Sequence, residues 1–214
     1  MYNNVKNSAR LVGEVVSKYS TDKVTILTIK TEKKDGDKVR ISFPKAICFE
    51  KVKPQTDKIE IGDYVLADCT IQANQKDESI KNQSMRTVAV NHITKVNPSD
   101  ERYRSINSFR FFCRVLKTTK LSDHVAIARI FFFTNRAHYM TVVFKNSDPE
   151  RVESFCNIQP NEFVILNGAI ETRKFTNKDG TTGYAEDCVA RVFKKTQRKT
   201  KAASEKTTET TSEE

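Results

Sequence analysis

One stretch near the middle of the chain alternates basic and aromatic side chains. Residues 110–114 read Arg-Phe-Phe-Cys-Arg, so an extended strand would project Arg110, Phe112 and Arg114 to one side. Unpaired guanidinium groups are costly to bury, and this side is therefore predicted to face solvent. Guanidinium groups neutralise phosphates and phenyl rings stack on bases, so the pattern favours contact with a nucleic acid strand whose bases are unpaired.

The two strand-like stretches that follow repeat this arrangement. Arg129 and Phe131 alternate with small and aliphatic residues, and Tyr139 alternates with Met140 in the same way. Lys145, further along the third stretch, is the last candidate cation of this face. The alternative interpretation is that the rings belong to a core rich in phenylalanine, and the sequence leaves it open for each ring taken singly.

These residues lie in the second of two similar stretches of chain. Residues 7–16 align with 107–116, and residues 61–71 align with 160–170. A spacing near one hundred is the length of a small domain rather than of a solenoid unit. We therefore expect a tandem duplication. The expected segments are a first domain at 1–98, a linker at 99–105, a second domain at 106–196 and a disordered tail at 197–214.

Short β-branched runs separated by charged turns predict an all-β fold. In the first copy the predicted strands are Leu11–Val16, Val24–Lys30, Val39–Phe43, Tyr64–Ile71 and Thr87–Val96. A short helix is expected between the third and fourth strands, at Ala46–Val52 in the first copy and Pro149–Cys156 in the second. This element order predicts two tandem five-stranded OB-fold barrels, although other small β folds share the pattern.

The first copy offers a different outward face. Arg10, Lys30 and Arg40 are its candidate nucleic-acid contacts, and Val12 is predicted to lie beside Arg10 on the outward side. Residues 39–43 align with residues 139–143 of the second copy. Phe43 falls with Val39 and Ile41 on the apolar side of this strand and is predicted to be core, so the outward face is basic but nearly free of aromatic residues.

Two sequence motifs resemble a known family. Asn7, Leu11, Gly13 and Val15 space out as in the first strand of the bacterial and phage single-stranded DNA-binding proteins of the SSB type. The run Val164–Phe175, followed by Asp179-Gly180 and Tyr184, is similar to the fourth strand and hairpin of that family. The resemblance implies an OB fold that binds single-stranded DNA without sequence preference.

The resemblance also implies an arm that folds over bound strands. Its residues here would be Arg173, Lys174, Phe175 and Lys178. Three departures from the family stand out: Phe175 replaces the usual tryptophan, the copies number two rather than one, and the chain ends without the acidic Pro-Phe tip that recruits repair partners.

Composition and residue spacing exclude several other classes of function from what we expect. The net charge of +10 comes equally from the two copies, which suits a polyanion partner. Five cysteines without paired spacing argue against zinc and disulfides, and His92, His124 and His138 are scattered, so no metal, cofactor or catalytic site is expected. We expect a cytoplasmic, non-enzymatic protein without a membrane segment.

The partners implied are single-stranded DNA, a second copy of the chain in a homodimer, and replication or recombination proteins of a bacterium, phage or plasmid. A homodimer would supply the number of OB domains that relatives with a single domain reach by assembling four chains. Two alternatives stay open at this stage: an interaction subunit of a replication or transfer complex, and a binder of single-stranded RNA.

Overall fold

The computed structural model describes residues 7–74, 85–134, 137–177 and 179–196. Over these residues the fold is all-β, with one α-helix and two short 3-10 helices. The elements are β1 Ser8–Ser20, β2 Val24–Asp35, β3 Lys38–Ser42, β4 Lys45–Phe49, β5 Tyr64–Asn74, β6 Met85–Lys95, β7 Ile106–Ser122, β8 Val125–Phe133, β9 Ala137–Lys145, α1 Pro149–Cys156, β10 Phe163–Thr176 and β11 Thr182–Thr196. No helix within the described ranges is long and apolar enough to cross a membrane.

The strand pairings return to their starting strand in each half of the chain. In the first half β1 pairs with β2, β2 with β4, β4 with β6, β6 with β5, and β5 with β1. In the second half β7 pairs with β8, β8 with β9, β9 with β11, β11 with β10, and β10 with β7. We refer to these five-stranded closures as the N-terminal ring and the C-terminal ring. In both rings one pair is parallel, β4 with β6 and β9 with β11, and all other pairs are antiparallel.

Strands β1 and β7 pair with each other and join the two rings into one sheet. Ala9 lies opposite Phe109, and Ser8 lies opposite Arg110. Since residues 107–116 are the sequence counterparts of residues 7–16, each stretch pairs with its own counterpart. The junction therefore has the form of a local two-fold axis.

The asparagine of each Asn-Ser pair bonds across this junction. Asn7 is buried, and its side-chain oxygen accepts from the backbone N–H of Phe112 in the other ring at 3.3 Å. Asn107 donates to the Thr31 hydroxyl at 3.0 Å and exchanges two hydrogen bonds with the backbone of Ile170. The motif that opens both copies is thus part of what holds the rings together.

The interior follows the predicted alternation in the C-terminal ring. The inward residues of its first three strands are all buried, as predicted: Phe109, Phe111, Cys113 and Val115 in β7, Ala126, Ala128, Ile130 and Phe132 in β8, and Met140, Val142 and Phe144 in β9. Phe144 stacks on Phe155 of α1, with 4.3 Å between the centroids of the two aromatic groups. The helix therefore packs against the core of the C-terminal ring. The buried apolar residues of both rings form one continuous cluster.

The helix at Pro149–Cys156 is confirmed, with Asp148 as its N-cap accepting from the N–H of Glu150 at 2.9 Å. The helix predicted at Ala46–Val52 is wrong. Residues 45–49 form β4, whose alternating burial fits a strand paired with β2, and a 3-10 helix at Lys53–Thr56 follows instead. A free strand edge on β2 gives this segment a hydrogen-bonding ladder that local propensity does not reveal.

The register of β3 and β4 corrects the alignment of the two halves. Both strands keep one register against β2, and Ile29 donates to the Pro44 carbonyl between them at 3.0 Å. That register places Phe43 opposite Lys30, as Tyr139 lies opposite Phe131 in the C-terminal ring. Phe43 is therefore the counterpart of Tyr139, whereas the sequence alignment had paired Tyr139 with Val39.

Phe43 is not core. Its side chain is 40% exposed, and Val39 and Ile41, which were predicted to be core with it, are exposed as well. The reason is that β2 and β3 continue past the ring as a hairpin of residues 31–42. Among the described residues of the C-terminal ring there is no such extension, since β8 ends at Phe133, which pairs with Ala137 at the start of β9.

Val12 was predicted to face outward but is fully buried. The last residue of the segment predicted as a linker lies beside it: the Ser105 hydroxyl donates to the Val12 carbonyl at 3.3 Å and accepts from the N–H of Glu32 at 2.6 Å. Neighbouring Gly13 allows β1 to approach β2 closely, because a Cβ there would lie 2.1 Å from the Lys30 carbonyl oxygen. The outward face of β1 is thus partly covered in the N-terminal ring.

Candidate nucleic-acid interface

Four outward side chains form a row across the C-terminal ring. Phe163 in β10 lies opposite Arg114 in β7, Arg114 lies opposite Phe131 in β8, and Phe131 lies opposite Tyr139 in β9. Tyr139 is exposed and the other three are half-buried. Directly opposed side chains on one face of a sheet lie about 5 Å apart, so these groups form a continuous surface, which we call the C-terminal row.

The aromatic side chains of this row are held in place by contacts with neighbouring side chains. Phe112 stacks on Phe163 with ring centroids 5.3 Å apart, and the Arg114 guanidinium lies 4.7 Å from the Phe163 centroid. Phe131 and Tyr139 are in tilted contact at 5.1 Å. A guanidinium over an aromatic face keeps its charge and its hydrogen-bond donors, so Arg114 is positioned for a phosphate while the rings present faces to bases.

Cations flank the row on β7 and β8. Arg110 and Arg129 are both exposed, and no acidic side chain in the described parts of the chain lies within ion-pair distance of either. Lys145 is different: its ammonium lies 3.7 Å from Glu171, which is also paired with Arg191. The structure therefore brings Arg110, Arg129 and the row together, and leaves Lys145 tied to a carboxylate at the far end of β9.

The N-terminal ring has a row at the same positions with different chemistry. Tyr64 in β5 lies opposite Glu14 in β1, Glu14 lies opposite Lys30 in β2, and the register places Phe43 next. This N-terminal row keeps an aromatic residue at each end. Its centre is a Glu-Lys pair where the C-terminal row has Arg114 and Phe131.

The predicted cations of the N-terminal ring carry partners. Arg10 pairs with Asp68 at 2.7 Å, and Lys30 pairs with Glu32 at 2.9 Å. The hydrogen bond to Glu32 raises the pKa of Lys30 above its ordinary value. Arg40 lies on the hairpin beyond the ring and is exposed, so the three predicted residues do not form one patch.

The hairpin formed by β10 and β11 carries different side chains on its two faces. Arg173 and Phe175 project to one side, where Arg173 bonds to Asp187 at 2.5 Å and its guanidinium lies 5.7 Å from the Phe175 ring. The Phe175 ring lies flat against Gly183, where a Cβ would come within 2.4 Å of the ring. Lys174 projects to the other side, opposite Tyr184. Lys178, the fourth predicted arm residue, lies outside the described residues.

Sequence reasoning missed four aromatic side chains of these surfaces. Phe163 and Tyr64 open β10 and β5 at matching positions, and the outward parity of Phe163 follows from buried Val164 beside it. Tyr184 was noted only as part of the family motif. The fourth, Phe43, was assigned to the core because Val39 and Ile41 on the same strand face are apolar, but the hairpin at residues 31–42 leaves that face exposed.

The described residues show few groups suited to catalysis. No three His, Cys, Asp or Glu side chains in this part of the chain are grouped so as to hold a metal ion. Burial raises the pKa of the thiols of Cys48 and Cys113 to about 12 and that of Cys188 to about 11, so the reactive thiolate is strongly disfavoured at neutral pH.

Two solved structures share this fold. A deletion variant of the single-stranded DNA binding protein from Thermus aquaticus superposes with a TM-score of 0.69 at 11% identity, covering 92% of this chain and 97% of its own. The wild-type protein from the same organism gives a TM-score of 0.65 at 11% identity, covering 90% and 93%. No family model and no curated protein matches the sequence. At this identity the likeness establishes the fold.

Proposed function

We propose that this protein binds single-stranded DNA without sequence preference, and that its two rings are tandem OB folds bounded as the sequence predicts, at 1–98 and 106–196. The observation that carries the proposal is the C-terminal row. Three aromatic rings with an arginine between them cross four neighbouring strands on one open face. Such a face offers stacking to any base and charge to any phosphate, without the directional hydrogen bonds that would read a sequence.

The chemistry of the row favours single strands over duplexes. Bases in a duplex are stacked on each other, so their faces are not available to Phe131 or Tyr139. Duplex contact would rest on the exposed arginines alone and would be weaker. The fold shared with single-stranded DNA binding proteins supports DNA as the ligand. Roles in replication or recombination, and a homodimer, stay predictions of the sequence.

The test is a titration of the full chain with fluorescent oligonucleotides, single-stranded or duplex DNA and single-stranded RNA, over a range of salt. We expect preference for the DNA single strand and a steep loss with salt, each phosphate contact adding about 0.7 to the logarithmic slope. Equal affinity for duplex, or affinity independent of salt, would contradict the proposal. Tighter binding of RNA would reassign the ligand, and weak binding throughout would favour an interaction subunit.

A further inference from the structure

The hairpin of the C-terminal ring rests on the edge of the N-terminal ring. The Thr172 hydroxyl accepts from the backbone N–H of Phe43 at 2.9 Å, and the Glu186 carboxylate accepts from the N–H of Lys45 at 3.2 Å. Thr172 and Glu186 lie opposite each other in the β10–β11 pair, so they share one face of the hairpin. We call this contact the seam.

Next to the seam, both rings expose aromatic and basic side chains. One step further along the same hairpin face lie Lys174 and Tyr184, which are opposite each other. Tyr184 is 69% exposed, and Lys174 is exposed as well. On the other ring, Phe43 and Lys45 alternate with buried Ser42, Pro44 and Ala46, so their side chains point outward while their N–H groups face the hairpin.

We propose that a bound single strand crosses from one ring to the other over the seam, stacking on Phe43 and Tyr184 with Lys45 and Lys174 on its phosphates. This inference rests on the proposed function and extends it. Phe43 is the outer end of the N-terminal row, so the seam continues that row onto the hairpin. The opposite hairpin face carries Arg173 and Phe175, so a strand that rounds the hairpin passes from one aromatic-basic pair to another.

Lysines beside exposed aromatic side chains favour a nucleic acid over a protein as the partner of this patch. Two exposed lysines lie beside two exposed aromatic side chains, which is the combination of phosphate-binding cations and stacking faces that single-strand binding uses. The nearby Glu186 carboxylate is half-buried, accepts the Lys45 N–H, and has its pKa raised by burial. Arg86 of the N-terminal ring also acts on this carboxylate, so part of its negative charge is offset before a phosphate approaches.

The experiment compares oligonucleotide lengths on the full chain. Single OB folds occupy about 4 to 16 nucleotides, so thymidine oligomers of about 8 and about 30 nucleotides separate one-ring from two-ring binding. The variants are Phe43→Ala, Tyr184→Ala and their combination. Tyr19→Ala is the matched control, because Tyr19 is 62% exposed near the end of β1 and lies opposite Ile26, with β2 between it and the strand of Lys45.

We expect the double variant to lose about 5- to 100-fold in affinity for the long oligomer and little for the short one. Phe43→Tyr keeps the ring and should retain wild-type affinity, and thermal melts should be unchanged in all variants. A double variant that melts normally and binds the long oligomer like wild type would overturn the seam path and assign the patch to another partner. A wild-type chain that binds neither oligomer would instead overturn the proposed function itself.

Discussion

The two rings place different chemistry at the same four positions. The C-terminal row reads Phe163, Arg114, Phe131 and Tyr139 across the sheet, and the N-terminal row reads Tyr64, Glu14, Lys30 and Phe43. The ends are aromatic in both. Only the centre differs, where a cation and a ring are replaced by an anion and a cation.

This difference separates charge from stacking. Each half of the chain carries the same excess of five positive charges, so composition alone predicts that the two halves bind nucleic acid equally well. The structure shows that Arg10 and Lys30 of the N-terminal ring are already paired with carboxylates, whereas Arg110 and Arg129 of the C-terminal ring have no such partner among the described residues. We therefore expect the C-terminal ring to supply most of the affinity and the N-terminal ring to extend the path.

Exchanging the central charges should give the largest effect. Arg114→Glu removes the cation over Phe163 and places an anion on the row, so affinity for single strands should fall by at least about tenfold. Glu14→Arg, at the counterpart position, should raise affinity by about two- to fivefold at low salt. Anisotropy titrations on the full chain measure both. Similar losses from both variants would show that the two rows are not arranged as proposed.

Removing the aromatic side chain at the centre of the C-terminal row should have an intermediate effect. Phe131→Ala should cost about 1 to 3 kcal/mol of binding, since stacking on one ring is lost. Lys30→Ala should cost less binding free energy than Phe131→Ala, because Lys30 is already engaged by Glu32. Thermal melts are the control: a fall in stability of about 3 to 5 kcal/mol in Phe131→Ala would mean that the ring acts as core rather than as a binding surface. Equal binding losses in the two variants would also contradict the comparison.

Much of the C-terminal ring follows from its sequence. Inward and outward faces of β7, β8 and β9 could be read from alternation, because arginine cannot be buried unpaired and phenylalanine between small residues is core. The helix at Pro149–Cys156 was recognisable from the position of Pro149 after a capping aspartate. These features depend on neighbouring residues in the sequence, and the structure of this ring agrees with them.

Long-range contacts account for what the sequence could not predict. Val12 is buried where β7 and Ser105, distant in sequence, meet β1, and Phe43 is exposed because β2 and β3 continue past the ring as a hairpin. The pairing of Arg10 with Asp68 likewise depends on two strands meeting in one particular register. In β7, β8 and β9 the sequence pattern identifies which side chains are outward. It cannot tell which outward cations are already neutralised.

The smallest expected effect concerns that neutralisation, at another matched pair of positions. Arg10 lies opposite Asp68 in the N-terminal ring, and its counterpart Arg110 lies opposite Asn167 in the C-terminal ring. Asp68→Asn should free Arg10 for a phosphate and steepen the logarithmic salt dependence by up to about 0.7, while Asn167→Asp should make it shallower by a similar amount. Both changes are nearly isosteric, so the fold should be unaffected.

A control variant separates contact from net charge. Asp123→Asn also removes one negative charge, but its partner Lys120 lies beside α1, where it bonds to Glu153 at 3.2 Å, away from both rows. It should leave the salt slope unchanged. If Asp123→Asn and Asp68→Asn steepened the slope equally, binding would respond to total charge alone, and the pairing of Arg10 would not explain the weaker binding that we expect of the N-terminal ring.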